Sequence, residues 1–150
     1  MCAANPSRGV FRRKGMTSTA TSTSVELVQS LYAAFGRGDV PYILSRVAPD
    51  CDWINAGEGI PAAGHYRGPE GAAEFFQKLA ATEDITRFEP REYFVNGDDV
   101  VAYGFEECRV RANGKVVSTN WMMLFRVRDG MVTRWESFYN TAGYALAHKG

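Results

Sequence analysis

The chain has 150 residues, of which 45% are hydrophobic and 23% are charged, and its formal net charge is zero. These values are typical of one soluble globular domain. No stretch approaches the roughly 18 consecutive apolar residues of a membrane-spanning helix, so an integral membrane protein is excluded. Residues 25–150 hold 13 basic and all 17 acidic side chains, and this excess of acid argues against a nucleic-acid-binding surface.

The N-terminal segment differs in composition from the rest. Residues 1–23 are rich in Ser and Thr, carry basic but no acidic side chains, and lack the apolar core of a secretory signal. We predict a disordered tail at 1–23 and one folded domain at 24–150. Met16 is an alternative natural start, and a targeting segment has a similar composition. The three cysteines are widely spaced without a C-x-x-C pair, which favours a reducing compartment and predicts a cytoplasmic protein.

Two helices are predicted at the start of the domain. A capping-box pattern at Thr23–Glu26 predicts the beginning of the first helix. Apolar residues then recur at helical spacing until Gly36 and Gly38 end it. Asp39 is predicted to cap a short second helix that has a proline in its first turn.

A short strand and a third helix come next. Residues 51–55 form the predicted strand, and a loop rich in Gly and Pro follows it. Residues 69–82 repeat apolar side chains at helical spacing. The predicted buried stripe of this third helix is Ala73, Phe76, Leu79 and Ala80.

The second half of the chain has the pattern of an antiparallel sheet. Turn sequences with glycine at 96–99, 113–115 and 128–130 separate segments of alternating polarity. The predicted strands are 86–95, 99–112, 116–127 and 131–140. Helices followed by antiparallel strands predict an α+β domain, in which three N-terminal helices cover one face of a curved sheet and enclose a cone-shaped cavity.

Three segments resemble a known superfamily. They are LYAAFGRGDV at 31–40, PAAGHYRGPEGAAEFF at 61–76 and FRVRDGMVTRWESFYNTA at 125–142. With the order of elements, they are similar to the nuclear transport factor 2-like superfamily, in particular to its ketosteroid isomerase-related, SnoaL-like polyketide cyclase branch. The resemblance covers about residues 24–148 and implies the cone-shaped fold. It does not specify a reaction, because that fold supports isomerases, cyclases, dehydratases, hydrolases and proteins that only bind a ligand.

The acid and hydroxyl groups of the isomerases are replaced at the matching positions. The resemblance places Asn55 at the general base, Leu31 at the tyrosine that donates to the oxyanion, and Met123 at the protonated aspartate. An amide cannot remove a proton, and Leu and Met cannot donate a hydrogen bond, so steroid isomerisation by that mechanism is not expected. Asn140 likewise occupies the place of the late aspartate of the cyclases.

One acid is nevertheless predicted to face the cavity. The resemblance directs Glu106 inward, among side chains that include Trp121, Met123 and Tyr139. Burial raises the pKa of a carboxyl group, so Glu106 is predicted to act as an acid or base, with Asn55 and Tyr139 orienting the substrate. The alternative is that Glu106 is only a buried structural carboxylate.

Other candidate site residues are a histidine and several aromatic residues. His65 is placed at the cavity mouth, where it is either a proton shuttle or an ordinary surface histidine. The predicted substrate-binding residues are Tyr32, Trp53, Trp121, Met123, Trp135 and Tyr139, although core packing is the alternative for the aromatic ones. His65 and His148 are far apart without a matching carboxylate motif, and no nucleotide-binding motif occurs, so we expect neither a metal nor a cofactor.

Two functional hypotheses follow. The first is a cofactor-free isomerase, cyclase, dehydratase or hydrolase that acts on a small hydrophobic molecule by acid–base chemistry. The alternative is a domain of the same fold that binds a ligand or dimerises without catalysis. In both cases we expect a homodimer that binds neither nucleic acid nor membrane, with Tyr103, Phe105 and Phe138 on its interface.

Overall fold

The computed structural model describes the backbone of residues 14–150 and the side chains of residues 23–150. Four helices and six strands occur in this part of the chain. The helices are α1 (Lys14–Gly36), α2 (Val40–Ser45), α3 (Gly68–Thr82) and α4 (Thr141–Lys149). The strands are β1 (Val47–Asn55), β2 (Gly64–Arg67), β3 (Glu83–Asn96), β4 (Asp99–Val110), β5 (Val116–Arg128) and β6 (Met131–Phe138).

All six strands belong to one sheet in the order β2-β1-β6-β5-β4-β3. Neighbouring strands are antiparallel except β1 and β6, which run parallel. The pairing shifts register at several points, twice between β3 and β4, and such irregularities bend a sheet locally. The result is a curved sheet with helices on its concave side, and this confirms the predicted α+β class and cone-shaped fold.

The beginning of the domain differs in detail from the prediction. Helix α1 begins at Lys14, so the capping-box pattern at Thr23–Glu26 lies inside the helix. No Gly or Pro occurs between residues 16 and 35, so nothing in that stretch interrupts a helix. The predicted tail at 1–23 therefore has a helical backbone from Lys14, and its first 13 residues lie outside the described part of the chain.

The predicted cap of the second helix is confirmed. The Asp39 carboxylate accepts a hydrogen bond from the backbone N–H of Tyr42 at 3.1 Å, and the proline occupies the first turn. This capped turn directs the chain into β1, which begins at Val47 and is longer than the predicted strand at 51–55.

Two elements were not predicted. Strand β2 forms in the loop rich in Gly and Pro, where it pairs with β1. Helix α4 follows β6, which ends at Phe138 and not at residue 140. Asn140 caps α4, since its side-chain oxygen accepts a hydrogen bond from Gly143 N–H at 3.0 Å. The domain therefore has four helices and not three.

The main hydrophobic core lies between the concave face of the sheet and helices α1, α2 and α3. Helix α3 contributes Ala72 and Phe75 as buried residues, with Phe76 partly buried beside them. The predicted stripe is thus wrong for Ala73, which is only partly buried, and for Ala80, which is exposed. The buried face of α3 begins at Ala72, one residue before the predicted Ala73, because α3 packs on β1 and β2 as well as on the other helices.

The outer face of the sheet, which points away from the helices, keeps several apolar side chains exposed. Phe138 is 51% and Met122 46% exposed, and the two residues are directly paired across β5 and β6. Formation of a homodimer through this face stays a prediction. None of the described helices is both long enough and apolar enough to span a membrane.

Gly104 is required where β4 crosses the core. A Cβ atom at this position would collide with the Trp121 ring and with the backbone oxygen of Glu89. We expect Gly104→Ala to lower the free energy of unfolding by about 1 to 3 kcal/mol, because neither a packed indole nor a strand backbone has room to move. Urea unfolding monitored by circular dichroism measures the change.

Gly36→Ala is the matched control. Gly36 has no atom within 4 Å of the added Cβ and ends a helix, so the same substitution should leave stability unchanged or slightly increased there. Equal stability of Gly104→Ala and the wild type would contradict the assigned packing of Trp121.

Candidate active site

A cavity of about 90 Å³ lies between the concave face of the sheet and the four helices. Its wall is mostly aromatic and aliphatic, with a few polar side chains. The predicted residues that line it are Tyr32, Trp53, Asn55, Glu106, Trp121, Met123, Trp135 and Tyr139. An apolar cavity with few polar groups is the usual form of a small-molecule site.

Stacked aromatic rings build the apolar wall. Trp53 and Trp135 stack with ring centroids 4.6 Å apart, because β1 and β6 pair these two residues directly. On the other side Phe88 stacks on Trp121 at 5.0 Å, and the Tyr32 ring lies 5.7 Å from each of them. These contacts fix the rings by packing on several neighbours, so the wall is rigid.

The Tyr32 hydroxyl has only a weak partner. It donates to the Met123 sulfur at 3.2 Å, and burial, followed by the nearby Tyr93, raises its pKa. The indole N–H groups of Trp53 and Trp121 are buried, and no described protein group accepts a hydrogen bond from them.

Glu106 lies at the polar end of the cavity. Strand β4 directs it inward, and α4 places Tyr144 so that its hydroxyl donates to Glu106 Oε2 at 2.6 Å. The other carboxyl oxygen, Oε1, has no hydrogen-bond partner among the described side chains. One oxygen is therefore fixed in place, and the other remains available to a ligand.

The surroundings of Glu106 shift the pKa of its carboxyl toward neutral pH. Burial raises the pKa of this carboxyl to about 7, the Tyr144 hydrogen bond partly opposes the shift, and the negative charge of Glu83 adds to it. Burial and the same charges also raise the pKa of Tyr144 and of Tyr139, so both phenols stay protonated as donors. A carboxyl that titrates near pH 7 suits proton transfer under physiological conditions.

Asn55 and Tyr139 hold the chain at the end of β1. Ser137 donates its hydroxyl proton to Asn55 Oδ1 at 2.7 Å, and Asn55 Nδ2 donates to the Ala62 carbonyl at 3.3 Å. The Tyr139 hydroxyl donates to the Ala56 carbonyl at 2.7 Å. Asn55 lines the cavity, but its amide is engaged in these bonds and has no acid–base capacity.

His65 does not lie at the cavity. It is on β2 opposite Ile54, on the outer face, where its side chain is 58% exposed and Nε2 lies 2.8 Å from Asp52 Oδ1. The placement at the mouth is wrong because the loop rich in Gly and Pro forms a strand, and its alternation directs Tyr66 inward and His65 outward.

Three residues near Glu106 were missed in the sequence. Tyr144 bonds to Glu106, and His148 Nε2 lies 2.8 Å from Glu83 Oε2 in a pair whose side chains are only 6% and 4% exposed. The sequence does contain one signal for α4, because Asn140 is a residue type that caps helices and an alanine-rich run follows it. Nothing in the local pattern linked this helix to Glu83, which is 65 residues away from His148.

No group of three or more His, Cys, Asp or Glu side chains in the described part of the chain is arranged to hold a metal ion. The two cysteines that the structure describes, Cys51 and Cys108, are free and buried. Burial is the main cause that raises the pKa of each thiol to about 12. Neither thiol is therefore ionised near neutral pH.

Comparison with known proteins agrees with this architecture. A family model described as the SnoaL-like domain matches residues 28–135. The chain therefore belongs to the SnoaL-like domain family, a branch of the nuclear transport factor 2-like superfamily. The crystal structure of a nuclear transport factor 2-like protein from Burkholderia xenovorans is 33% identical, with a TM-score of 0.79 over 85% of this chain and 97% of that one.

Two further relatives are more distant. An uncharacterised protein of Mycobacterium tuberculosis is 29% identical over 115 residues, which cover 77% of this chain and 87% of the relative. The structure of TerC co-crystallised with polyporic acid is 27% identical, with a TM-score of 0.75 over 85% of this chain and 99% of that one.

The raised pKa of Glu106 predicts a pH-dependent stability. Between its ordinary value of 4.5 and about 7 the folded state binds the proton more tightly than the unfolded chain. This stabilisation is complete at low pH and is lost as pH rises through 7. We expect the free energy of unfolding of Glu106→Gln to fall less than that of the wild type from about pH 5 to about pH 8 in urea titrations.

Glu107→Gln is the control, because the next residue of β4 points to the outer face and receives a hydrogen bond from Thr86. Its pH dependence should match that of the wild type. If Glu106→Gln also follows the wild-type curve, Glu106 is not the titrating group described here.

Proposed function

We propose that this protein is an enzyme that performs acid–base chemistry, without a cofactor, on a small and largely apolar molecule that carries at least one polar group. The observation that carries the proposal is Glu106: its carboxyl titrates near neutral pH, Tyr144 fixes one of its oxygens, and the other faces an aromatic cavity. Membership of the SnoaL-like family supports a small-molecule role. The co-crystal of TerC with polyporic acid supports it as well.

The protonation of Glu106 favours one type of chemistry. Below about pH 7 the group is a neutral acid and donates a hydrogen bond or a proton to a carbonyl oxygen. Isomerisation, cyclisation and dehydration all use such a donor while a C–H proton next to the carbonyl is removed. We place these reactions ahead of hydrolysis for this reason.

The size of the cavity limits the ligand. An engineered apolar protein cavity of about 150 Å³ binds benzene, and the present cavity has about 90 Å³. The cavity is therefore smaller than one that holds a single ring, and a ligand of about one ring requires side chains to move. A nucleic acid or a membrane is not a partner in this proposal, and a cytoplasmic homodimer is its expected form.

A ligand-binding protein without catalysis is the second candidate. The replacement of the isomerases' acid and hydroxyl positions by Leu31, Asn55 and Met123, which the resemblance implies, favours it. The two candidates differ in one measurable property, which is whether Glu106 accelerates a proton transfer.

Deuterium exchange into cyclohexanone tests the proposal. This small ketone has an apolar ring, one carbonyl acceptor and acidic C–H bonds, and proton NMR in D2O measures the loss of its α-protons. We expect the full-length protein to accelerate exchange above buffer and Glu106→Gln to reduce the acceleration by about 10² to 10⁴-fold, as for a lost general acid.

Glu107→Gln, on the outer face, should exchange the ketone at the wild-type rate. Binding of cyclohexanone without acceleration would support the binding protein and reject the enzyme. Mass spectrometry of small molecules that co-purify with the native protein then identifies the natural ligand in either case.

We also expect no isomerisation of a 5-ene-3-ketosteroid. Leu31, Asn55 and Met123 all line the cavity, and none of them supplies the base or the oxyanion donors of that reaction. Absorbance of the conjugated product measures the rate. Turnover above that of a serum albumin control would show that another set of residues performs the reaction.

A further inference from the structure

Glu83 and His148 form a buried polar pair that the proposed chemistry does not yet use. Glu83 is the first residue of β3 and His148 lies in the last turn of α4, and their side chains are 4% and 6% exposed. Burying such a pair is costly, and apolar residues of similar volume stabilise a fold as well or better. The need to hold α4 against the sheet therefore does not by itself explain why this polar pair is buried.

Glu83 faces the same cavity as Glu106. Both carboxylates line it, and the charge of Glu83 contributes to the raised pKa of Glu106. Two such groups are seldom placed close together in an apolar interior, because each disfavours the ionisation of the other.

Helix α4 holds both carboxyl groups in the same way. Tyr144 and His148 are four residues apart and so lie on one face of the helix, one turn from each other. Tyr144 binds Oε2 of Glu106 at 2.6 Å, and His148 binds Oε2 of Glu83 at 2.8 Å. Each carboxyl is thus oriented by a ring on α4, a phenol for Glu106 and an imidazole for Glu83, and Glu83 is also hydrogen-bonded to the Cys108 thiol.

We propose that Glu83 is a second reacting carboxyl of the cavity, which takes a proton from the ligand while Glu106 gives one, and that His148 positions Glu83 for this step. The inference rests on the proposed acid–base function and assigns the base that it lacks. The two carboxyls have different hydrogen-bond partners, Tyr144 for Glu106 and His148 for Glu83, and opposite roles require such different environments.

The proton transfers balance for an isomerisation. In the first step the O–H bond of Glu106 breaks, and its proton binds the carbonyl oxygen of the ligand. Glu83 takes the proton of the adjacent C–H bond, whose electron pair becomes the C=C bond of an enol. In an isomerisation the ligand carries a C=C bond beside that C–H bond, so the enol is a conjugated dienol. In the second step the π electrons at the far carbon of the dienol take the proton from Glu83, and the C=C bond moves into conjugation with the carbonyl. The enol O–H bond breaks, its electron pair re-forms the C=O bond and its proton returns to Glu106, so both carboxyls regain their starting states.

The test is the cyclohexanone exchange assay on Glu83→Gln in the full-length chain. A Gln side chain still presents an oxygen to the His148 ring but cannot take a proton. We expect the exchange rate at saturating ketone to fall by about 10²-fold or more with unchanged affinity for cyclohexanone. Asp84→Asn is the matched control, because Asp84 is exposed and paired with Arg111 at 2.7 Å.

The outcomes separate this inference from the proposed function. If Glu83→Gln exchanges within about twofold of the wild type while Glu106→Gln is slow, Glu83 is structural and the enzyme proposal stands. If the wild type does not accelerate exchange, both this inference and the proposed function are wrong. A fall in affinity with an unchanged rate at saturation also rejects Glu83 as a reacting group, since a lost base lowers the rate of the bound ketone.

A second measurement covers the case in which Glu83→Gln does not fold. Wild-type protein labelled with ¹³C at glutamate Cδ is titrated with cyclohexanone, and the signals are assigned with Glu83→Asp and Glu106→Asp. We expect the ketone to shift the Cδ signals of both Glu83 and Glu106. A shift of Glu106 alone would show that the ligand does not reach Glu83 and would overturn the inference.

Discussion

A carboxyl group in an apolar cavity must either give up its charge or gain partners that replace water. Glu106 is held between these limits, because burial favours its neutral form and the short hydrogen bond from Tyr144 favours its charged form. The resulting pKa of Glu106 lies near neutral pH, where small changes in the surroundings change the protonation state of this carboxyl. The chemistry proposed for this protein depends on that balance.

The C-terminal helix is the element that completes the site. The sheet and the first three helices form a cone with an aromatic wall, and α4 adds the partners of both buried carboxyls. It is fastened at its beginning by the Asn140 cap and near its end by the hydrogen bond from Asn113 Nδ2 to the Ala147 carbonyl. The two carboxyl groups therefore come from strands, and the partners that orient them come from one short helix.

The cavity has an apolar wall and a polar end. Stacked rings form the wall on both sides, and the carboxyls at the other end are the reason why the proposed ligand carries a hydrogen-bonding group. The loss of the isomerases' residues at Leu31, Asn55 and Met123 does not empty the site of acids. Glu106 and Glu83 line it at the end covered by α4.

The sequence by itself determined the fold class and the four long strands, because side-chain alternation and turn residues act locally. The family resemblance of three of its segments directed Glu106 into the cavity. The sequence did not determine the position of His65, the strand β2 or the buried pair of Glu83 and His148. Those depend on pairing between segments far apart in the chain, and such contacts leave no local pattern. Only the tertiary structure could decide which acid His148 meets and which tyrosine reaches Glu106.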